Sequence, residues 1–240
     1  EISCSLVGSE MCIRDRLPAF TASFSASAVA SMLGIHKENL TIHISESLTP
    51  FLLVRLITLG IIFGITGGLF AWCLKYTKKY LGEKIKNPLV RVFSIGVVLS
   101  VLFLVLYRGR YCGFGTNLVE AVFNGEKVYA YDWVLKFILT VLTLSAGFQG
   151  GEVTPLFTIC ATLGAVLGNL FGIPMELSAA LGYAAVFGGG TNTLLAAIFI
   201  GGEIFGYEYL PYFFIVCTAA YVFNRNSSIY SRQKLMKYSI

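Results

Sequence analysis

Residues 145–168 read SAGFQGGEVTPLFTICATLGAVLG, which sets three glycines, one carboxylate and a Thr-Pro pair in front of an apolar run. Glycine lets the backbone approach a ligand closely, and proline suits the first turn of a helix, where its missing N–H would have had no partner. The unpaired amides at such a helix start, with the positive end of the helix dipole, form a site for a small anion. The pattern therefore predicts a loop and then a helix, beginning near Pro155, that binds an anion at its start.

The composition indicates that this loop lies in a membrane protein. The chain is 56% hydrophobic and 13% charged, whereas soluble domains carry roughly 25% charged residues. Some of its apolar runs approach the roughly 20 residues that cross a bilayer, and others are as short as broken or re-entrant helices. They lack the polar faces that helices of a soluble core would need. We therefore predict an all-α polytopic membrane protein. The runs are 51–74, 88–107, 133–148, 153–173, 177–200 and 210–223.

The net charge of +5 is explained by topology. One group of basic residues lies in or beside the link between the first two apolar runs, and a second group of basic residues lies at the end of the chain. By the positive-inside rule both groups are cytoplasmic, which predicts a multi-pass protein of the cell membrane with a cytoplasmic C-terminus. No nucleic-acid partner is expected, because no reader motif or aromatic interleaving accompanies the charge. The groups are Lys75, Lys78, Lys79, Lys84, Lys86 and Arg91, then Arg225, Arg232, Lys234 and Lys237.

The chain divides into four predicted segments. Residues 1–16 show no helical period or apolar stretch, resemble translated sequencing-adapter sequence, and are excluded from the fold prediction. Residues 17–49 form one helix, rich in the small residues that let membrane helices pack closely, and a loop. Residues 50–223 form the main membrane body. The glycines at 60, 64, 67 and 68 in its first helix predict a small-residue face for helix contact. GGGTNT (188–193) is a second glycine-rich break, after a helix ending at Phe187. Residues 224–240 form a C-terminal pore segment and cytoplasmic tail.

Several segments resemble the CLC family of chloride channels and proton-coupled anion exchangers. GFQGGEVTPLF (147–157) and ATLGAVLG (161–168) are similar to the signature in which GGxFxP begins a central helix facing the pore anion. LGIIFGITGGLFAW (59–72) resembles the helix that opens the second inverted half of these proteins. GGGTNTLLAAIFIGGEIFG (188–206) resembles a later break and helix, and SSIY (227–230) resembles the terminal segment with the pore tyrosine.

The resemblance implies a CLC-type inverted-repeat transporter fold with broken and re-entrant helices, truncated to its second half. The first half, with a second anion motif and a gating glutamate in a GxEGx context, has no counterpart before Leu17. The family's pore forms between both halves, so we expect this fragment to be inactive alone. The resemblance also implies that the full-length protein is a homodimer, whose subunits pack partly through the helix after GGGTNT. No cofactor is expected.

Glu152 and Val153 depart from most of the family, which has an apolar residue and an aromatic there. GGEVTP is similar to the branch that exports fluoride in exchange for protons. Fluoride is small and strongly hydrated, and both the Thr154 hydroxyl and a protonated Glu152 can donate short hydrogen bonds to it. An ionised Glu152 would repel the anion by several kcal/mol as an order of magnitude. Glu152 is therefore the predicted proton-coupling residue.

Each predicted site residue also has a structural interpretation. Glu152 can neutralise a helix dipole, worth about 0.3–1 kcal/mol, and Thr154 can cap the helix, contact the anion, or do both. Tyr230 is either the pore tyrosine, as the resemblance implies, or an interfacial aromatic. Glu203, in an apolar run, is expected to serve packing or capping rather than ion contact. The predicted anion-binding set is Gly150, Gly151, Glu152, Val153, Thr154 and Tyr230, with no metal.

Three functions are compared. The favoured one is a fluoride/proton antiporter whose partners are fluoride, protons and membrane lipid. A chloride channel or chloride/proton exchanger of the same fold is the alternative. The third is an intramembrane enzyme or a structural membrane subunit. An enzyme is disfavoured because the sequence shows no paired nucleophile and base, no HExxH metal-ligand spacing and no intramembrane histidine.

Overall fold

The computed structural model describes residues 13–34, 42, 49–106, 109–224 and 227–230. Within these ranges every regular element is helical, as predicted, and three helices are long and apolar enough to cross a membrane: Pro50–Lys84, Pro88–Val105 and Val153–Phe171. A 3₁₀ turn, Tyr207–Tyr209, precedes the last helix. The helices are α1 (Ile13–Met32), α2 (Pro50–Lys84), α3 (Pro88–Val105), α4 (Thr116–Phe123), α5 (Asp132–Ala146), α6 (Val153–Phe171), α7 (Met175–Thr191), α8 (Leu194–Phe205) and α9 (Leu210–Phe223).

Helix α1 begins at Ile13, four residues before the predicted start at residue 17. Pro18 lies inside it, and the serines at 25 and 31 donate to backbone carbonyls four residues earlier in the same helix. The rest of the excluded leader, most of the loop after α1, and the basic tail beyond residue 230 fall outside the described residues. The artefactual origin of residues 1–16 therefore stays a prediction.

Helix α2 is the central support of the fold, and its 35 residues span about 52 Å. Thr49 caps its first turn by accepting from the Leu52 amide at 3.3 Å. Its predicted small-residue face is present, because Gly60 and Gly64 lie against the α9 backbone and Gly67 lies against the α7 backbone. These contacts leave no room for a Cβ, so the three helices pack backbone to backbone.

Helices α6 and α7 form a closely packed hairpin. Gly164 lies against the Ser178 carbonyl, and Gly182 lies against the Cys160 carbonyl, so glycines on both helices bring the backbones together. The Phe157 and Tyr183 rings stack with centroids 4.0 Å apart. The start of α6 is therefore held by a rigid core rather than by the loop before it.

The prediction that the whole of 188–193 is a break between two helices is wrong. Helix α7 continues through all three glycines to Thr191, and the chain turns only at Asn192, whose φ is +55°. The glycines stay helical because they are contact residues: a Cβ on Gly188 would lie 2.8 Å from the Ala197 Cβ, and one on Gly189 would lie 3.3 Å from the Gly64 Cα. Close packing of this kind offsets the poor intrinsic helix propensity of glycine.

Candidate anion-binding site

The loop before α6 begins where α5 ends. Gly147 closes α5 with a left-handed φ of +105°, and its amide donates to the Leu144 carbonyl at 3.3 Å. Arg91, from the first turn of α3, donates from Nε to the Ala146 carbonyl at 2.9 Å. The Phe148 ring lies over Gly96 of α3, where a Cβ would be 3.1 Å from the Phe148 Cζ. Helix α3 therefore anchors the first part of the loop.

The backbone amides of this loop have no acceptor among the residues that the structure describes. Within the described part of the chain, no N–H of residues 148–154 donates to a carbonyl or side chain, and the first recorded donor after Gly147 is Leu156, which bonds the Glu152 carbonyl at 3.4 Å. Gly150 and Gly151 are exposed, whereas Glu152, Val153 and Thr154 are half-buried. A run of free amides at the positive end of a 19-residue helix is an arrangement that binds anions.

Glu152 occupies the N-cap position of α6, with φ −82° and ψ −24°, and it makes no side-chain capping bond. Its carboxylate is not part of an ion pair or hydrogen bond among the described residues, although Lys78 of α2 lies close enough to act on it electrostatically. The carboxylate therefore lies directly beside the free amides without a fixed partner.

The predicted capping role of Thr154 is not observed. Helix α6 begins at Val153, two residues earlier than the predicted start, so Thr154 is its second residue and Pro155 its third. The Thr154 carbonyl accepts from the Thr158 hydroxyl at 3.4 Å, but its own hydroxyl has no acceptor or donor in the described part of the structure. The hydroxyl is thus available to a ligand at the same helix start.

Tyr230 lies on a segment that docks against the end of α7. The Ile229 amide donates to the Gly190 carbonyl at 2.9 Å, and the Ser228 hydroxyl donates to the Thr191 carbonyl at 3.2 Å. Gly190 in turn faces Leu156, in the second turn of α6, since a Cβ on Gly190 would lie 2.8 Å from the Leu156 Cδ2. The segment with Tyr230 is thus separated from the start of α6 by a single glycine of α7.

Glu203 lies away from this arrangement. It is a half-buried residue in the interior of α8, a helix that packs on α7 and α9. Its predicted role in packing or capping stays a prediction.

Two cations beside the loop have no predicted role in the site. Arg91 is predicted only as a topological charge, and no prediction concerns Lys136, which is 2% exposed and lies near the start of the apolar run 133–148. Both contact backbone carbonyls of distant segments, at Ala146 for Arg91 and at Tyr111 and Gly113 for Lys136. A charged residue inside a membrane run was a usable signal, because such residues are rarely without a function.

Comparison with known proteins accords with this geometry. The voltage gated chloride channel family matches residues 3–225. A "Chloride/fluoride channel protein" of Pseudomonas syringae pv. tomato is 32% identical over 91% of this chain and 49% of its own length. The "Voltage-gated ClC-type chloride channel ClcB" of Salmonella typhimurium is 25% identical over 85% of this chain and 53% of its own. The chain spans about half the length of these relatives.

Two solved structures extend the comparison. A "CLC-type fluoride/proton antiporter" is 50% identical, with a TM-score of 0.90 over 96% of this chain and 58% of that structure. A "eukaryotic CLC transporter" is 21% identical, with a TM-score of 0.69 over 94% of this chain and 40% of that one, and it bears on the fold alone. The family match covers nearly the whole chain, and this protein is therefore a member of the CLC family of membrane anion transport proteins, of whose fold it contains a part.

Proposed function

We propose that the complete protein exports fluoride in exchange for protons, and that residues 150–154 form its anion site in this half. The observation that carries the proposal is the run of unpaired amides beside the Thr154 hydroxyl and the unpaired Glu152 carboxylate. The similarity to a fluoride/proton antiporter at 50% identity supports the choice of anion. The resemblance of the GGEVTP segment to the fluoride-exporting branch points the same way.

The chemistry follows from the donors. Fluoride leaves water only for strong hydrogen-bond donors, and charge-assisted bonds from amides, a hydroxyl and a protonated carboxyl are the strongest that this loop offers. When Glu152 is protonated, it donates to the anion; when it is ionised, it repels the anion by several kcal/mol as an order of magnitude at close range and low dielectric. Anion occupancy and protonation are thus linked at one helix start, and coupled movement of the two ions requires such a linkage.

The orientation and assembly follow the same proposal. The basic end of α2 lies on the cytoplasmic side, and Tyr230 contributes to the pore next to the start of α6. The complete protein forms a homodimer in the membrane, with α8 at the subunit interface. In that arrangement, half of the anion pathway comes from the part of the protein outside this chain.

The test is the Glu152→Gln variant in protein expressed from its complete reading frame and reconstituted in liposomes. Fluoride efflux and proton uptake are recorded together, and chloride efflux is recorded in parallel. We expect Glu152→Gln to abolish proton uptake or stop transport, because glutamine donates hydrogen bonds but cannot ionise. Unchanged coupled fluoride flux would refute the role of Glu152, and efflux of chloride in preference to fluoride would favour a chloride transporter.

Glu176→Gln is the matched control. Glu176 is an exposed carboxylate in the first turn of α7, so it interacts with a helix dipole as Glu152 does but lies at the start of another helix. If Glu152 served only the dipole, both variants would lose about 0.3–1 kcal/mol of stability and neither would change coupling. The proposal predicts that only Glu152→Gln changes the ratio of protons to fluoride.

A further inference from the structure

A buried lysine lies behind the anion-binding loop, in a part of the molecule to which the proposed function gives no role. Lys136 of α5 is 2% exposed. Its ammonium donates to the Tyr111 carbonyl at 3.0 Å and to the Gly113 carbonyl at 2.7 Å. An ammonium group has three N–H donors, so these two bonds leave one without a protein acceptor in the described structure.

The charges near Lys136 do not cancel. Asp132, one turn earlier on α5, is fully buried, but it accepts from Arg110 at 2.9 Å and from the Tyr111 hydroxyl at 2.6 Å. Arg110 and Asp132 thus neutralise each other, and no carboxylate of the described residues lies within 4.0 Å of the Lys136 ammonium. A buried charge without a counter-charge is costly, so a group of opposite sign is expected nearby.

A cavity of about 320 Å³ joins Lys136 to the loop. Lys136 and Thr140 line one wall, and Gln149, Gly150 and Gly151 line another, whereas Glu152 does not line it. At roughly 30 Å³ for each water molecule, the volume accommodates a small anion with several waters. The cavity therefore has a cation, an amide side chain and glycine backbone around a space of the right size.

We propose that this cavity is a second anion site, which adjoins the site at the start of α6 and shares Gly150 and Gly151 with it, and in which Lys136 balances a partly hydrated fluoride or chloride ion. This inference rests on the proposed function only for the identity of the anion and for the movement of that anion from the cavity to the neighbouring amides. The third N–H of the ammonium and the Gln149 side chain donate to the ion or to its water. Lys136 thus has two roles, since its other bonds hold the segment that contains Tyr111 and Gly113.

The test compares Lys136→Gln and Lys136→Arg in protein from the complete reading frame, with sodium fluoride as the titrant in calorimetry. We expect two fluoride ions per chain for the unaltered protein and for Lys136→Arg, and one for Lys136→Gln, which keeps two donors but loses the charge. In liposomes, the fluoride concentration for half-maximal efflux should rise about tenfold in Lys136→Gln. The ratio of protons to fluoride should stay unchanged.

Thr140→Leu is the second variant, since it fills the cavity from the wall that it shares with Lys136, one turn further along α5, and leaves both Lys136 hydrogen bonds in place. It too should bind one fluoride, even if Lys136→Gln fails to fold. Two fluoride ions bound by Thr140→Leu, or by a folded Lys136→Gln, would overturn the second site. Equal loss of binding in Lys136→Gln and Lys136→Arg, in proportion to lost thermal stability, would overturn it in favour of a purely structural lysine.

The two proposals fail separately. If Glu152→Gln leaves coupling intact while Lys136→Gln still loses one ion, the role of Glu152 falls and the cavity site stands. If chloride leaves the liposomes in preference to fluoride while Lys136→Gln still loses one ion, the proposed function falls and the cavity site stands. If Glu152→Gln uncouples transport while Lys136→Gln binds two ions, the cavity site falls and the proposed function stands.

Discussion

Replacing Gly67 by alanine tests the packing that positions the site. A Cβ on Gly67 would lie 2.6 Å from the Gly190 amide nitrogen and 2.7 Å from the Val186 carbonyl oxygen, both backbone atoms of α7. Normal contact begins at about 3.5 Å, so α2 and α7 must separate by about 0.9 Å. Overpacking of this kind costs about 1–3 kcal/mol, and the better helix propensity of alanine returns up to about 1 kcal/mol. Because both close contacts are with backbone atoms, which cannot rotate away, the cost lies in the upper part of that range, about 2–3 kcal/mol, and we expect a net loss of about 1–2 kcal/mol.

Thermal unfolding of the purified protein in detergent measures this loss. For a chain of this size, 1 kcal/mol lowers the Tm by about 2–4 °C, so Gly67→Ala should lower it by roughly 2–8 °C. Gly82→Ala is the control on the same helix, because its Cβ would approach only the flexible Arg91 side chain, at 3.5 Å. Gly82→Ala should keep or raise the Tm. A Gly67→Ala protein as stable as Gly82→Ala would refute the backbone contact between α2 and α7.

Two further substitutions separate binding from folding. Thr154→Val removes a hydroxyl that has no partner among the described residues, so stability should change by less than about 0.5 kcal/mol. Fluoride efflux should fall about 10–100-fold, since a hydrogen bond to a charged group contributes about 1.5–3 kcal/mol, and unaltered efflux in liposomes would exclude Thr154 from the site. Asp132→Asn leaves Arg110 without its counter-ion, at 2.9 Å, and should destabilise the protein by about 3 kcal/mol. On the scale of roughly 2–4 °C for each kcal/mol, a Tm within 2 °C of that of the unaltered protein would contradict the predicted loss of stability.

The sequence was sufficient for the features that depend on local pattern. Apolar run length predicted the membrane helices, and the glycines of α2 predicted a close helix contact that the structure confirms at Gly60, Gly64 and Gly67. Residues 150–154 lie at the start of α6, as the Gly-Pro pattern predicted, and their binding of an anion stays a prediction. The helix start itself was misplaced by two residues, because proline is tolerated throughout the first turn of a helix and Pro155 is the third residue of α6 rather than the first.

Features that depend on distant contacts were not predictable in the same way. The role of Lys136 arises only when folding brings the segment that contains Tyr111 and Gly113 over α5, 23–25 residues earlier in the chain. The same holds for the approach of the Tyr230 segment to α7, because the bond from Ile229 to Gly190 joins residues 39 apart. No periodicity or spacing encodes such pairings.

The two glycine-rich segments show how contact distinguishes packing from binding. At 188–190 each glycine faces a neighbouring atom that a Cβ would approach within 3.3 Å, so the side chain is absent because another helix occupies its space. Gly151 has no atom within 4 Å of its Cβ position, Gly150 has one at 4.0 Å, and neither has a left-handed φ. Neither crowding nor backbone conformation explains glycine there. The proposed anion would explain it, because it needs free amides and an open approach, and the same absence of side chains opens the loop toward the cavity at Lys136.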